Sequence, residues 1–349
     1  MPHLILYVTA GCNLRCKHCF YWENIENFDP KKELSLEEIR KISKNLGHLH
    51  YLSLTGGEPL LRSDLPEIVR AFYENNQLKH LALHTNGFLP EKTEALARQL
   101  IKEFPEMIVT FSLSLDQVGE KHDEIRGRKS AFDNLVSTIG LLKPLAVSHH
   151  NFDINVNTVF STYNQEDIFK VHDYIENQLG CYQALCLVRG ESKNKDAGQV
   201  DLDRYREISD HLEKAETGRR HRFPFALTGK LIDQVIKDLV LRTVKEEKMI
   251  IPCLSGKKSL VIYQDGGVYP CELLGKGYGN IREYDYSVKK ILATRTAKEI
   301  NRHIKDRKCH CTFECPLPLN IIYSPQGLYW LFKKYMNYLA LRYLPSVRR

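Results

Sequence analysis

The sequence predicts an α/β protein: a mainly parallel sheet wound into an open or closed barrel, followed by a small cysteine-bearing module. Two observations predict this class. Six short β-branched and aliphatic runs alternate with amphipathic stretches of about 10–15 residues, the pattern of βαβ units. Near residue 250 the pattern changes to a hairpin signal, Gln264-Asp265-Gly266-Gly267, between two short strands.

Each element has its own warrant. Strands are expected at Leu4–Thr9, Tyr51–Thr55, His80–His84, Met107–Leu115, Asp153–Phe160 and Tyr182–Val188. Helices are expected near Leu36–Leu46, Leu65–Asn75, Lys92–Glu103, Phe132–Leu142 and Gln165–Gln178, where apolar residues recur at helical spacing. Right-handed crossovers then wind the strands in one direction and place reactive groups on loops after the strand ends. Gly190–Val200 is charged and reads as a linker. Two polar helices follow, about Asp201–Thr217 and Leu231–Glu247, and the hairpin pairs Ser259–Tyr263 with Val268–Leu273. Four segments result: residues 1–190, a helical region 191–250, a module 251–320 and a terminal amphipathic helix within 321–349.

Composition narrows the function classes. Hydrophobic residues make up 43% and charged residues 27% of 349, so the chain can build a core and is neither a repeat array nor disordered. The first residues carry no secretory pattern and no apolar stretch is long enough to span a bilayer, so a cytoplasmic protein is expected. The net charge of +7 reads as a solvated basic exterior. Lys193, Lys195 and Arg219-Arg220-His221-Arg222 carry no nucleic-acid motif, and no nucleic-acid partner is expected.

Ten cysteines in such a chain read as metal ligands rather than as a disulfide framework. Cys181 and Cys186 stand apart and read as buried free thiols. Cys12, Cys16 and Cys19 lie in one loop after the first strand. Three thiolates can hold three irons of a cubane cluster and leave the fourth open to an exogenous ligand. Zinc with His18 as fourth ligand is the alternative, but His18 adjoins Cys19, a poor geometry for one tetrahedral ion.

Cys-x3-Cys-x2-Cys after an N-terminal strand resembles the signature of the radical S-adenosylmethionine (SAM) superfamily. Thr55-Gly56-Gly57-Glu58-Pro59 after the second strand matches that family's GGEP segment. Thr85-Asn86-Gly87 after the third strand and Ser112-Leu113-Ser114-Leu115-Asp116 at the end of the fourth resemble its SAM-contacting segments. His122-Asp123-Glu124-Ile125-Arg126-Gly127 fits a further family pattern, and Asn157 is a weaker candidate in the fifth strand. The resemblance covers about residues 1–190. It implies a partial (β/α)6 TIM-like barrel with a small C-terminal β-hairpin/helical cluster-binding module. It also implies a [4Fe–4S] cluster held by Cys12, Cys16 and Cys19 with SAM on the open iron, and a flavodoxin or ferredoxin as electron donor. Gly56, Gly57, Glu58, Pro59, Thr85, Asn86, Ser114, Asp116, Arg126 and Asn157 are then SAM-site candidates. Glu58 or nearby carbonyls would accept from the SAM ammonium. Arg126 would pair with the SAM carboxylate or serve as a structural salt bridge.

Cys253-x12-Gly266-x4-Cys271 is followed by Cys309-x-Cys311-x3-Cys315. This resembles the SPASM/twitch extension of the same superfamily. Five cysteines suit the shorter twitch form with one auxiliary cluster, a [4Fe–4S] centre. Its expected ligands are Cys253, Cys271, Cys315 and one of Cys309 or Cys311. Structural zinc is the alternative here too. A fully protein-ligated auxiliary cluster would accept an electron from a substrate radical, pointing to net oxidation.

Ser324-Pro325 starts a final helix rich in Tyr, Trp and Lys over residues 328–344. It reads either as packed on its own domain or as a membrane-surface or partner contact, leaving the protein peripheral at a membrane. Two functions are weighed: a radical SAM enzyme oxidising, rearranging or modifying a small molecule or a peptide, and a non-catalytic iron–sulfur or zinc-stabilised scaffold. Only eleven residues precede Cys12, so no fused peptide-recognition domain is expected ahead of it, and the substrate is expected to be small or delivered by a partner.

Overall fold

The computed structural model of the chain describes residues 1–216, 226–306 and 309–343. Arg219, Arg220, His221 and Arg222 lie outside these residues, as do Thr217 and Leu344 at the ends of two expected helices.

Six parallel strands form one sheet: β1 His3–Thr9, β2 Tyr51–Gly56, β3 His80–Thr85, β4 Ile108–Ser114, β5 Phe152–Phe160 and β6 Tyr182–Leu187. Their spatial order, β6-β5-β4-β3-β2-β1, follows the sequence, as right-handed crossovers dictate. The sheet continues past β1 into β7 Ser259–Ile262, β8 Gly267–Tyr269 and β9 Gly279–Asn280. The expected partial barrel with a C-terminal antiparallel hairpin is therefore present. The module does not stand apart, because β7 pairs with β1 in parallel, His3 opposite Ser259.

Strand alternation separates two environments. Leu4, Leu6 and Val8 of β1, with Leu52, Leu54, Leu81, Leu83, Val109 and Phe111, pack under the surrounding helices. The opposite face is largely polar. His3 Nε2 meets Ser53 Oγ at 2.9 Å, His80 Nε2 meets Thr110 Oγ1 at 2.9 Å, and Ser112 Oγ donates to Asn155 Oδ1 at 2.7 Å. A barrel interior lined by such groups suits a polar ligand.

The helices follow their sequence signals with three differences. Leu36–Leu46 begins in a capping box between Ser35 and Glu38, and Pro90–Glu103 starts on its proline. The helix expected to stop at Leu142 runs Ala131–Ser148 straight through Pro144. The stretch expected at Gln165–Gln178 is a short helix, Ile168–Asp173, closed by a wider turn, Tyr174–Gln178. The expected linker is tied down: Lys193 N donates to Cys19 O at 3.1 Å and Asn194 N to Lys17 O at 2.9 Å. Helices Leu202–Glu216 and Ala226–Glu246 bring Tyr205, Ile208, Val235 and Leu239 against Phe160, Leu185 and Leu187 of β5 and β6.

Candidate active site

The cysteine loop crosses the C-terminal end of β1. Glu33 fixes its start, accepting from Thr9 Oγ1 at 2.8 Å and from Ala10 N at 2.7 Å. Farther along, Arg15 N donates to Arg126 O at 3.0 Å and Lys17 N to Ile125 O at 2.9 Å, so the loop pairs with residues 125–126. The β2 end closes on it from the other side. Gly57 N donates to Thr9 O and Glu58 N to Gly11 O, both at 2.8 Å. A Cβ on Gly57 would lie 2.2 Å from Gly11 O, and one on Gly56 would lie 2.2 Å from Thr9 O. Only glycine permits two backbones this close.

One cavity gathers the expected set. Its wall includes Cys12, Cys16 and Cys19, Gly56 and Gly57, Thr85 and Asn86, and Ser114, Arg126 and Asn157. Ser114 and Asn157 stand opposite each other in the β4–β5 register.

Three expected residues stand behind this wall. Glu58 is 1% exposed, and both its carboxylate oxygens are engaged. Leu60 N and Thr85 Oγ1 donate to one at 3.0 and 2.9 Å, and Asn86 N donates to the other at 2.8 Å. These contacts tie the loop ends after β2 and β3 together. Pro59 opens the turn Pro59–Leu61 and is buried. Asp116 is fully buried and holds Arg126 Nη2 at 2.6 Å and His18 Nε2 at 3.5 Å. Arg126 thus forms a buried salt bridge and also donates to Cys16 Sγ at 3.7 Å, while still lining the cavity. His18 is turned to Asp116 and is not drawn in as a fourth ligand beside Cys19.

Burial dominates the electrostatics of the loop. It pushes the Cys12 and Cys19 thiols up to about 12, and it raises Cys16 against the opposing pull of Arg126. Thiols so placed ionise when a cationic metal centre supplies the compensating charge. Soft donors on one rim, a glycine cradle and buried polar atoms without partners, Asn13 Nδ2 and His18 Nδ1, fit a thiolate-bound cluster with a polar ligand on it.

The same cavity is also lined by His84, Arg189 and Glu272, which the sequence reading missed, together with Cys186, expected as a free thiol, and Cys315, expected as an auxiliary-cluster ligand. Arg189 Nη2 pairs with Glu272 Oε2 at 3.1 Å, and the guanidinium lies 5.3 Å from the Phe20 ring and 5.1 Å from that of Phe313. Cys186 donates to Asn157 Oδ1 at 3.6 Å, while Cys181 is buried in the core. Burial, then Arg189, lowers His84 to about 4 and keeps it neutral. Glu314, beside Cys315 in sequence, accepts from Leu187 N at 3.1 Å, and burial pushes its carboxyl up to about 7.

The second cysteine group divides in two. Cys271 is pushed up to about 12, and Cys309 and Cys311 to about 11, by burial first, with Cys253 adding to each from nearby. Cys315 faces the cavity. Burial raises it to about 12, Arg189 opposes the shift, and Glu272 and Glu314 add to it.

Comparison with known proteins agrees with this geometry. The family model described as the radical SAM superfamily matches residues 6–175, and the SPASM iron–sulfur cluster-binding domain matches residues 253–316. The antilisterial bacteriocin subtilosin biosynthesis protein AlbA of Bacillus subtilis (strain 168) is 31% identical over 82% of this chain. That alignment spans 59% of AlbA's own length. The AdoMet-dependent heme synthase of Methanosarcina barkeri (strain Fusaro / DSM 804) is 29% identical over 82% of this chain and 81% of its own. The solved structure of native anSMEcpe with bound AdoMet has the same fold, with a TM-score of 0.61 at 19% identity over 98% of this chain and 99% of that one.

Proposed function

Because this chain belongs to the radical SAM superfamily and carries a C-terminal SPASM iron–sulfur cluster-binding domain, we propose that it abstracts hydrogen from an organic substrate held between the two. The observation that carries this reading is that one cavity is lined both by Cys12, Cys16 and Cys19 of the barrel and by Glu272 and Cys315 of the C-terminal module, with Arg189. When bound, a [4Fe–4S] cluster with one iron open to SAM supplies reductive cleavage to a 5′-deoxyadenosyl radical.

The protein's own residues bind and orient. The glycine turn at 56–57 brings backbone carbonyls to the SAM amino acid, while Ser114 at the end of β4 and Asn157 opposite it in β5 offer polar groups. Glu58 and Asp116 hold that wall rigid from behind, so little reorganisation accompanies reaction. Arg189 and Glu272 offer the substrate a paired cation and anion in the same cavity. The 193–194 segment, hydrogen-bonded to the cysteine loop, covers the loop and limits water entry.

For the auxiliary cluster we assign Cys253, Cys271 and Cys311 as ligands, with the fourth position filled by Cys309 or Cys315. A fully thiolate-bound cluster there would take up the electron left on the substrate, giving a net oxidation. A peptide is the leading substrate class, because the relative named for bacteriocin biosynthesis aligns across both the barrel and the module. A tetrapyrrole precursor is the second reading, supported by the heme synthase that aligns over 81% of its own length.

Anaerobic reconstitution, iron and sulfide counting, and a 5′-deoxyadenosine assay with SAM and dithionite test the proposal. The expected result is about eight irons, with deoxyadenosine lost and about half the iron kept in the Cys12/Cys16/Cys19→Ala variant. A fully loaded protein that binds no SAM would favour the non-catalytic scaffold instead.

A further inference from the structure

Away from the cavity, one helix face is left exposed among the described residues. The helix Pro325–Tyr343 is anchored on one side only. Tyr338 is buried, and Lys334 reaches Glu213 at 2.6 Å and Asp238 at 3.1 Å on the two helices that flank β6. On the other side Leu328, Tyr329, Phe332, Tyr335 and Met336 are 43–64% exposed. At about 100° per residue these five fall within one arc of roughly 120°. They form a continuous stripe, not scattered surface apolars. Ile322 and Tyr323, also exposed, extend it, and the Lys258 ammonium lies 4.3 Å from the centre of the Tyr323 ring.

The charge of this end has one sign. Glu314 is the last acidic residue of the sequence, and Lys333, Lys334, Arg342, Arg348 and Arg349 follow it. Glu213 and Asp238, which approach the helix, do so on its anchored side, where both pair with Lys334. Lys333 sits at the margin of the stripe, its ammonium 5.6 Å from the Trp330 ring centre. Aromatic rings flanked by lysine, with no acid interposed, suit the headgroup level of a lipid bilayer.

We propose that the 328–336 face docks this protein onto an anionic lipid surface, the helix lying in the plane of the interface. No helix of the described residues is long and apolar enough to cross a membrane, so the attachment is peripheral. The stripe enters the acyl boundary, and the basic residues draw the end of the chain to anionic headgroups.

The test uses the full chain, anaerobically reconstituted. It is sedimented with vesicles of phosphatidylcholine alone and of equal parts phosphatidylcholine and phosphatidylglycerol. The expected result is binding to the anionic vesicles at least about tenfold above the neutral ones, weakening with added salt. Tyr329→Ser/Phe332→Ser lowers that binding by about tenfold or more, while cluster absorbance and thermal midpoint stay as in the parent, since both side chains are exposed. Lys333→Gln lowers it less and flattens the salt dependence. No sedimentation with anionic vesicles, or equal sedimentation of parent and double variant, overturns the proposal. So does self-association in sedimentation velocity that the double variant abolishes, which would assign the face to a second copy of the chain.

Discussion

Arg189 and Glu272 meet at 3.1 Å in the wall of the cavity, one just past the end of β6 and the other directly after Cys271. Glu272 has a side chain only 3% exposed, and Tyr7 faces it as a hydrogen-bond partner from β1. Removing either member leaves its partner desolvated and unpaired, whereas removing both does not. Arg189→Leu and Glu272→Leu should each cost about 2–4 kcal/mol, and the double variant less than their sum. Denaturant unfolding of the reconstituted proteins checks this; strictly additive costs would show that the pair is not coupled.

Gly57 offers a sharper probe of the first cluster. Its missing Cβ would fall 2.2 Å from the Gly11 carbonyl, which accepts from Glu58 N. Gly57→Ala should push the cysteine loop off the β2 end and abolish SAM binding. About half the iron should be lost and the auxiliary centre kept. Iron counts beside isothermal SAM titration read both effects at once.

Glu38 links the first outer helix to the module. Arg282 Nε donates to it at 2.6 Å and Tyr286 OH at 3.1 Å. The Arg282 hydrogen bonds, more than Ser35, hold its carboxyl down at about 2. A depressed carboxylate stabilises the fold fully above its unfolded value, near 4.5, and progressively less as pH falls toward 2. With partial exposure discounted, Glu38→Gln should cost about 1–2 kcal/mol at neutral pH. The gap between parent and variant should stay flat from pH 8 to about pH 5.5 and narrow toward pH 4. A gap that widens on acidification would contradict this coupling.

Single substitutions decide the fourth auxiliary ligand. If Cys309 fills it, Cys309→Ala loses about four irons and Cys315→Ala keeps about eight. If Cys315 fills it, the two results exchange. Electron paramagnetic resonance of the reduced variants identifies which cluster is missing.

Much of this could be read from the sequence, for a local reason. Cys12, Cys16, Cys19, Gly56, Gly57, Thr85, Asn86 and Ser114 sit at strand ends or on the loops that follow them, Asn157 lies within β5 opposite Ser114, and a parallel sheet brings such positions together whatever the outer packing. The roles of Glu58, Asp116 and Arg126 were less legible. Their positions are next to the site, yet Asn86 N and Val159 N donate to the two carboxylates and Arg126 donates to Cys16 Sγ, contacts that no local pattern announces. Arg189 gave no signal at all. It falls between the expected strand Tyr182–Val188 and the expected linker Gly190–Val200, and its partner Glu272 is 83 residues away, joined to it only once β7 docks on β1.

That docking has a consequence for how the protein is made. β1 is made before the other strands of the sheet, but one of its two neighbours, β7, lies more than 250 positions later. Until then β1 presents a bare row of amides and carbonyls, the kind of edge that templates aggregation. A chain stopped after β6 would retain that edge permanently. The C-terminal module therefore acts as a closure that arrives last, and its deletion should harm solubility in the cell before it harms any chemistry.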